Sequence, residues 1–422
     1  MTFSASTIAL IKATVPVLKL HGHAITEHFY KAMLRDHPEL KAFFNEAHQA
    51  SGSQARALAG AVLAYASHID QLDALAPALP RIVQKHVALG VRPEHYPIVG
   101  ACLLQAIRDV LGAAATDEII AAWGEAYGAL AQLLIDAEEA VQADNAAREG
   151  GWRGARPLRV ARKVSESELI TSFYLEPTDG RPLPAFHAGQ YLTLLLDIDG
   201  QQVRRHYSLS DAPGKPWYRI SVKREEGGRV SGWLHDKVEA GAVLMAHAPS
   251  GDFVLDPQPT QRPLVLVTGG VGITPAMSML EVVAPSGRPV HFIHAARHGG
   301  VHAFRDRVDR LAAAHPNVRP LYVYDMPRAA EDAAHETGRV TQDLLAEHLP
   351  ENRDVDLYFL GPRIFMQSVY ASGLKLGIAP QRLRYEFFGP MEALTTASAD
   401  CAHIAPSSLK LSCRALTVRR VA

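Results

Sequence analysis

The sequence feature that limits the fold most strongly is a glycine-rich turn placed directly after a short aliphatic run. Residues 264–267 read Leu-Val-Leu-Val, and residues 269–275 read Gly-Gly-Val-Gly-Ile-Thr-Pro. A continuous apolar run of this length is typical of a strand that is buried on both faces in a parallel sheet. Glycines after such a strand let the backbone approach a dinucleotide closely, although a tight strand-to-helix turn without a ligand is the alternative interpretation. The pattern predicts the start of an α/β domain.

Hydrophobic patterns divide the rest of the chain into regions of different secondary structure. At 422 residues the chain is too long for a single core. Apolar residues recur at spacings of three and four from Ser6 to Ala147, which indicates helices, whereas short β-rich runs follow the glycines near residue 150. We therefore predict an all-α domain over 1–147, an antiparallel β-barrel over 152–258, an α/β parallel-sheet domain over 259–391 and an atypical tail over 392–422.

Charge and cysteine usage favour a small-molecule enzyme of a reducing compartment. Lys plus Arg (43) nearly balance Asp plus Glu (44), so we expect neither nucleic acid nor an anionic membrane as a partner. No run of 18 apolar residues and no secretory pattern at Met1 is visible, so we expect no membrane span. Cys102, Cys401 and Cys413 lack the spacing of metal ligands. We predict a cytoplasmic monomer.

The tetrapeptide Arg205-His206-Tyr207-Ser208 lies in the predicted barrel and has the chemistry of a flavin site. A guanidinium pairs with phosphate, a phenol ring stacks on an isoalloxazine, and a hydroxyl reaches a ring nitrogen. An edge-strand arginine beside a packed tyrosine would explain the same residues without a ligand. Val230 and Ser231 begin a helix after Gly227-Gly228, and the free amides of such a helix start suit a pyrophosphate.

Residues 154–390 resemble the ferredoxin-reductase superfamily, because the flavin motif R-x-Y-S and the nicotinamide motif G-x-G-x-T-P both match in full. The resemblance implies that the arginine and serine contact FAD, that the tyrosine packs on it, and that the glycine turn binds the nicotinamide dinucleotide. An aromatic residue in segment 385–390 is expected near the flavin. The cofactor-binding residues that it implies are Tyr191, Arg205, His206, Tyr207, Ser208, Val230, Ser231, Gly270, Val271, Gly272, Ile273, Thr274, Pro275, Phe387, Phe388, Gly389 and Pro390.

One histidine of the helical domain differs from the others in its surroundings. His86 shares an apolar helix face with Ile82 and Val83. Such an imidazole is either a satisfied core residue or a metal ligand. The residues upstream bear on this choice, because Tyr30 ends one helical pattern, Phe44 follows the turn at Pro38, and Gln54 and Leu58 lie one turn apart on the next helix.

This order of residues resembles a globin. The resemblance implies that Phe44 wedges the haem and that His86 is the iron ligand, with Gln54 and Leu58 as the distal wall. Tyr30 is then a hydrogen-bond donor on the distal side, and Lys85 tunes the local potential, although a plain surface lysine is the alternative. Tyr96 and Glu138 are expected to form hydrogen bonds around His86 and to increase its electron donation. Of these residues, Tyr30, Gln54, Tyr96 and Glu138 are the predicted catalytic set.

Taken together, residues 3–390 resemble the bacterial flavohaemoglobins. The resemblance implies haem b, FAD and NADH or NADPH as cofactors, and a nitric oxide dioxygenase that converts NO and O2 to nitrate and detoxifies nitrosative stress. A gas sensor or carrier kept ferrous by its own reductase is one alternative; an NAD(P)H-dependent hydroperoxide reductase, with a lipid or hydroperoxide in the haem pocket, is the other. The choice between NADH and NADPH stays open, because Arg297 and Arg305 suit either a 2′-phosphate or solvent.

Overall fold

The computed structural model describes residues 3–44, 49, 51–256, 258, 260–328, 334–388 and 394. Gly389, Pro390, Cys401, Cys413 and nearly all of the predicted tail over 392–422 lie outside these residues.

The first part of the chain is helical. Ser4 accepts a hydrogen bond from the Thr7 amide and so begins the first helix, and Pro38 follows the end of that helix and starts a short 3-10 turn. Gly90 ends the helix that carries His86 with a left-handed φ of 70°. The helices are α1 (Ala5–Asp36), the 3-10 segment Pro38–Phe43, α2 (Ser53–Ser67), the 3-10 segment Leu72–Ala78, α3 (Leu79–Leu89), α4 (His95–Leu111), the 3-10 segment Gly112–Ala114 and α5 (Asp117–Ala147).

Two of these helices would be long and apolar enough to cross a membrane by length and composition alone. They are Ala5–Asp36 and the segment His95–Ala114. Both contribute to one hydrophobic core, in which Ile11, Met33 and Ile107 are almost completely buried. A long helix in a hydrophobic core meets the same criterion as a helix that crosses a membrane, so length and composition alone do not distinguish a core helix from a membrane span.

The middle part of the chain is a six-stranded antiparallel sheet with the strand order β4-β3-β6-β1-β2-β5. Asp199 and Gly200 both have positive φ angles, as a two-residue hairpin between β3 and β4 requires. A bridge between Leu209 and Ile220 brings the two ends of the sheet together into a barrel. The elements are β1 (Ala155–Ser165), β2 (Ile170–Pro177), β3 (Tyr191–Ile198), β4 (Gln201–Ser208), β5 (Tyr218–Lys223), α6 (Arg229–Lys237) and β6 (Val243–Ser250).

The last part of the chain is a parallel sheet with helices on it, in the order β10-β9-β8-β7-β11-β12. The order reverses between β7 and β11, which makes this place the topological switch point where α/β sheets bind ligands. Its elements are β7 (Leu264–Gly269), α7 (Ile273–Val283), β8 (Val290–Ala296), α8 (Arg305–Ala314), β9 (Val318–Tyr324), β10 (Glu336–Thr337), α9 (Gln342–His348), β11 (Asp356–Leu360), α10 (Arg363–Lys375) and β12 (Leu383–Tyr385). The predicted fold class, all-α followed by antiparallel barrel and parallel sheet, is confirmed.

A buried ionic network holds the barrel against the parallel-sheet domain. Asp211 and Arg219 come from the barrel, whereas Glu281 and Arg307 come from α7 and α8. Arg307 lies 3.0 Å from Asp211 and also pairs with Glu281, and Arg219 lies 3.6 Å from Glu281. Breaking one partner of a buried pair leaves an uncompensated charge, so the network favours one orientation of the two domains.

Candidate active site

Three helices of the first domain bring His86, Tyr96 and Glu138 into one hydrogen-bonded group. His86 Nδ1 lies 2.7 Å from Glu138 Oε1 and 3.0 Å from the Tyr96 hydroxyl. The Tyr96 hydroxyl donates to the same Glu138 oxygen over 2.5 Å. The Tyr127 hydroxyl donates to the Tyr96 carbonyl over 2.7 Å and so fixes the start of α4.

The geometry of this group determines which nitrogen of His86 carries the proton. A carboxylate only accepts hydrogen bonds, and the Tyr96 proton is already directed at Glu138. Nδ1 of His86 must therefore be the N–H donor, which leaves the lone pair on Nε2. Glu138 is 3% exposed, whereas the His86 side chain is 31% exposed. An imidazole whose Nδ1 bonds to a carboxylate and whose Nε2 has no hydrogen-bond partner among the described residues has the arrangement of a metal-ligating histidine.

The predicted distal residues lie together on α1, α2 and the turn between them. The rings of Tyr30 and Phe44 meet edge to face with centroids 5.6 Å apart. Gln54 lies within hydrogen-bonding reach of Tyr30, and Leu58 packs one turn further along α2 against the helical core. Burial raises the pKa of Tyr30 well above its usual range, and the hydrogen bond from Gln54 opposes part of that rise. The phenol is therefore neutral at physiological pH.

A second glutamine fixes the orientation of the Gln54 amide. Gln49 Nε2 donates to Gln54 Oε1 over 2.7 Å. Because the oxygen of Gln54 is occupied in this way, its NH2 group faces the Tyr30 oxygen. Tyr30 then accepts from Gln54, and its own proton is not used in this hydrogen bond. Nothing in the sequence pattern singled out Gln49.

The flavin motif lies on β4, at the end of the sheet order, and pairing with β3 divides its residues between two faces. Tyr191 pairs with Ser208 and Thr193 with His206, so these four side chains share one face. Arg205 and Tyr207 therefore lie on the other face, and Tyr207 packs against the barrel core. The buried hydroxyl of Tyr191 has no hydrogen-bond partner among the described residues, so the site has a polar atom to offer to a ligand.

His206 lies near Lys85 of α3, and the same lysine lies near Glu386 of the segment after β12. The His206 ring is 4.7 Å from that of Tyr191, and its Nδ1 is 2.8 Å from the Thr193 hydroxyl. Desolvation by the surrounding protein, with a smaller contribution from Lys85, lowers the pKa of His206, although the residue is exposed to solvent. Burial raises the pKa of Glu386 to about 7, and Lys85 opposes this rise. Because its pKa is lowered from 6.5, the His206 imidazole is neutral at physiological pH.

The predicted pyrophosphate-binding residues lie at the start of α6. Val230 is buried in the barrel core, and Ser231 accepts a hydrogen bond from the Glu225 amide over 3.1 Å. The structure thus places both residues at the N-terminus of α6, and a surface cavity of about 490 Å³ beside this helix start is lined in part by Gly227 and Trp233.

The glycine turn after β7 lies at the switch point of the parallel sheet. A Cβ at Gly272 would be 2.4 Å from the carbonyl oxygen of Leu360, at the end of β11. Gly270 adopts a φ of +54°, which favours glycine. The backbones that follow β7 and β11 therefore approach more closely than any side chain would allow, and they flank the crevice in which α/β sheets bind dinucleotides. Val271 lines this turn, while Ile273, Thr274 and Pro275 begin α7 and are buried.

The closing segment, residues 385–390, was predicted to place an aromatic residue near the flavin. Phe387 packs edge to face on Tyr385 with centroids 5.8 Å apart, whereas Phe388 is 52% exposed. Gly389 and Pro390 cannot be placed, because they lie outside the described residues. Of the two arginines considered for a 2′-phosphate, Arg297 is exposed at the carboxyl end of β8, while Arg305 packs over the Tyr322 ring.

Two charged residues of this region were not among the predicted site residues. Glu386 is buried within an aromatic segment, and an acidic residue there was the signal that could have found it. Asp252 lies 3.3 Å from Arg81 of α3 and so joins the barrel to the helical domain. Its role depends on the docking of two domains, which local sequence does not reveal.

Family models match all three parts of the chain in the order that the fold shows. The globin model covers residues 27–134, the oxidoreductase FAD-binding domain covers 156–255, and the oxidoreductase NAD-binding domain covers 266–371. Fold and site together define a class of protein in which a globin and a flavin- and NAD-binding oxidoreductase share one chain.

Whole-chain relatives identify the family. A flavohemoprotein of Pseudomonas aeruginosa is 58% identical over 92% of this chain and 98% of its own length, and one of Burkholderia sp. is 56% identical over 93% and 99%. The chain belongs to the flavohemoprotein family, as predicted. The crystal structure of the Malassezia yamatoensis flavohemoglobin with bound FAD and heme covers 92% of this chain and 99% of its own, with a TM-score of 0.81 and 28% identity.

A further solved structure matches the reductase part alone. The flavohem-like FAD/NAD-binding domain of a nitric oxide dioxygenase from Vibrio cholerae is 34% identical, covers 56% of this chain and 100% of its own, and has a TM-score of 0.52.

Proposed function

We propose that this protein is an NAD(P)H-dependent nitric oxide dioxygenase that binds haem b, FAD and a nicotinamide dinucleotide. The observation that carries the proposal is the group formed by His86, Tyr96 and Glu138, which leaves His86 Nε2 directed away from its carboxylate partner. Tyr30 and Gln54 supply polar groups on the distal side. The family membership of the chain supports the same activity, as does the Vibrio cholerae relative of its reductase part.

The residues of this chain fit the three groups for different physical reasons. His86 offers a nitrogen ligand for iron, the Tyr191 hydroxyl is a buried polar atom without a described partner beside β4, and Gly272 allows the backbone approach that a dinucleotide needs. When bound, haem held by one histidine keeps a coordination position for a diatomic ligand, and FAD divides the two electrons of NAD(P)H into single electrons.

The side chains around the haem pocket hold or direct protons at defined atoms. Glu138 keeps the proton of His86 on Nδ1 and makes the imidazole a stronger electron donor. Tyr96 shares the same carboxylate oxygen and limits rotation of the imidazole. On the other side, Gln49 and Gln54 leave the Tyr30 proton available, so that Tyr30 would donate a hydrogen bond to a diatomic molecule bound there.

The test compares two histidine variants of the purified protein loaded with haem and FAD. His86→Ala should abolish NADH-dependent consumption of nitric oxide in oxygen, because the iron loses its ligand. The same variant should still reduce ferricyanide with NADH, because that reaction needs only the reductase part. His68→Ala, which alters an exposed histidine on the end of α2, is the matched control and should keep both activities. Undiminished nitric oxide consumption in His86→Ala would refute the proposal.

A further inference from the structure

The helix that carries His86 also carries a row of contacts to the flavin barrel. Arg81, Gln84 and Ala88 are spaced by three and four residues along α3, so they form one face of the helix. Arg81 Nε lies 3.3 Å from Asp252, and Gln84 Oε1 accepts a hydrogen bond from the Gly251 amide over 3.1 Å. These contacts attach the first two turns of the helix to the segment that follows β6.

His247 of β6 holds the carboxyl end of the same helix. Its Nδ1 lies 2.7 Å from the Ala88 carbonyl oxygen. Since a carbonyl only accepts, Nδ1 carries the proton and donates it. The last four carbonyls of a helix have no partner within the helix, so the barrel supplies here a hydrogen bond that α3 itself cannot make. His247 is 8% exposed, which shields this bond from water.

The shape of the helix end is matched to the imidazole. A Cβ at Gly90 would be 2.4 Å from Cε1 of His247, so any other residue at position 90 would push the ring away. Gly90 also has a φ of +70° and ends the helix in the left-handed conformation. The end of α3 can therefore lie directly against β6 because Gly90 leaves room for the His247 imidazole.

A second contact attaches the opposite wall of the haem pocket to the barrel. The guanidinium of Arg204 on β4 lies 3.6 Å from the ring centroid of Phe43. Phe43 directly precedes Phe44, which packs on Tyr30 in the distal pocket. The barrel thus contacts the helical domain at two places, the end of α3 through His247 and the segment that leads to Phe44 through Arg204.

We propose that His247 is a positioning residue for electron transfer: it fixes the carboxyl end of the His86 helix against the flavin barrel and so holds the haem at a constant distance from the flavin. The inference rests on the proposed function, in which single electrons pass from flavin to haem. Electron transfer between two groups falls steeply with their separation, so contacts that hold α3 against the barrel bear on its rate.

Removing the donor should slow the flavin-to-haem step without affecting the flavin itself. Loss of one buried neutral hydrogen bond is expected to lower the equilibrium constant for docking by about fivefold, which corresponds to about 1 kcal/mol. His247→Leu removes the donor and keeps a similar volume, whereas His247→Gln keeps an N–H donor. Met245→Leu, two residues earlier on β6 and 38% exposed, is the matched control.

The measurement is anaerobic stopped-flow mixing of the haem- and FAD-loaded protein with NADH under carbon monoxide, which reports haem reduction spectroscopically. We expect His247→Leu to reduce its haem more slowly, by up to about fivefold, and His247→Gln and Met245→Leu to match the wild type. Reduction of ferricyanide by NADH, haem content and the absorption spectrum should be the same in all four proteins. If His247→Leu does not retain both cofactors, His247→Ala takes its place in the same comparison.

Two results would overturn the inference. Haem reduction at the wild-type rate in the donor-less variant would mean that His247 does not control the docking. A parallel decrease of ferricyanide reduction would mean that the substitution damages the flavin site instead. Failure of the proposed function is distinguishable from both, because the wild-type protein would then not reduce its haem with NADH.

Discussion

Replacing Glu138 by glutamine removes a negative charge from the group around His86 and keeps the side-chain shape. The carboxylate is 3% exposed and accepts from His86 Nδ1 over 2.7 Å and from the Tyr96 hydroxyl over 2.5 Å. A hydrogen bond to a charged group contributes about 1.5–3 kcal/mol, against about 1 kcal/mol for a neutral one. The amide should therefore bind the imidazole about 0.5–2 kcal/mol less strongly, which is about 2- to 30-fold in an equilibrium constant.

Haem retention and redox behaviour report this loss. We expect Glu138→Gln to lose haem to an excess of a haem-scavenging apoprotein about 2- to 30-fold more readily than the wild type, a range that overlaps the about 10- to 100-fold typical for partners of metal-ligating histidines. The haem reduction potential should rise, because a less basic imidazole favours the ferric state less.

The neighbouring Glu139→Gln is a matched control. Glu139 is exposed and pairs with Arg153 over 2.7 Å, and surface pairs of this kind contribute about 0–1 kcal/mol. Haem loss from Glu138→Gln at the same rate as from Glu139→Gln would refute the argument that the buried carboxylate supports the iron ligand.

Three further predictions concern the distal pocket, the glycine turn and acid stability. Tyr30→Phe should release oxygen from the reduced protein about 2- to 10-fold faster in flash photolysis, because one neutral hydrogen bond is lost. Gly272→Ala should destabilise the parallel-sheet domain by about 1–3 kcal/mol and raise the KM for NADH, because its Cβ would lie 2.4 Å from the Leu360 carbonyl oxygen. His294→Gln should reduce acid sensitivity: burial lowers the pKa of His294 from 6.5 to about 3, so its stabilising contribution is present above pH 6.5 and is lost as the pH falls towards 3. Between about pH 7 and about pH 5.5 that loss is about 1 kcal/mol in urea unfolding.

Each of these predictions has its own control and contrary result. Oxygen release from Tyr30→Phe at the wild-type rate would exclude a hydrogen bond from the phenol. Gly128→Ala on α5, where a Cβ meets nothing within 4 Å, should not destabilise the protein, and an equal effect of both alanine variants would contradict the packing argument. An unchanged pH dependence in His294→Gln would show that its imidazole does not remain neutral; exposed His68→Gln is the comparison.

Local sequence predicts those parts of the site that depend on strand and turn chemistry. The aliphatic run before the glycine turn predicts a buried parallel strand, and β7 pairs in parallel on both sides. The turn itself was predicted for its backbone approach to a ligand. The structure adds the reason why Gly272 in particular is required, namely the Leu360 carbonyl of a strand almost 90 residues later. That contact has no counterpart in the local pattern.

Local sequence patterns did not predict the contacts between helices or between domains. His86, Tyr96 and Glu138 come from three helices, and only the resemblance to globins predicted that they meet. His247 follows Ala246, and both are buried. Successive side chains of a strand point to opposite faces, so one of the two would be exposed if only one face of the sheet were covered. The helical domain covers the face of β6 that carries His247. Docking of this kind follows from the complete surfaces of two folded domains, so His247, Gln84 and Asp252 could not be predicted.

The proposed function requires that reduction through the flavin supports oxidation of nitric oxide by oxygen in one chain. Conversion of one NO and one O2 to nitrate takes up one electron, so each two-electron NADH should support two nitrates. The direct measurement mixes the haem- and FAD-loaded protein with NADH, oxygen and nitric oxide and quantifies nitrate against NADH consumed while nitric oxide is in excess over enzyme. A nitric oxide dioxygenase should form about two nitrates per NADH and show sustained turnover. Stable oxygen binding without continuing nitrate formation would contradict it.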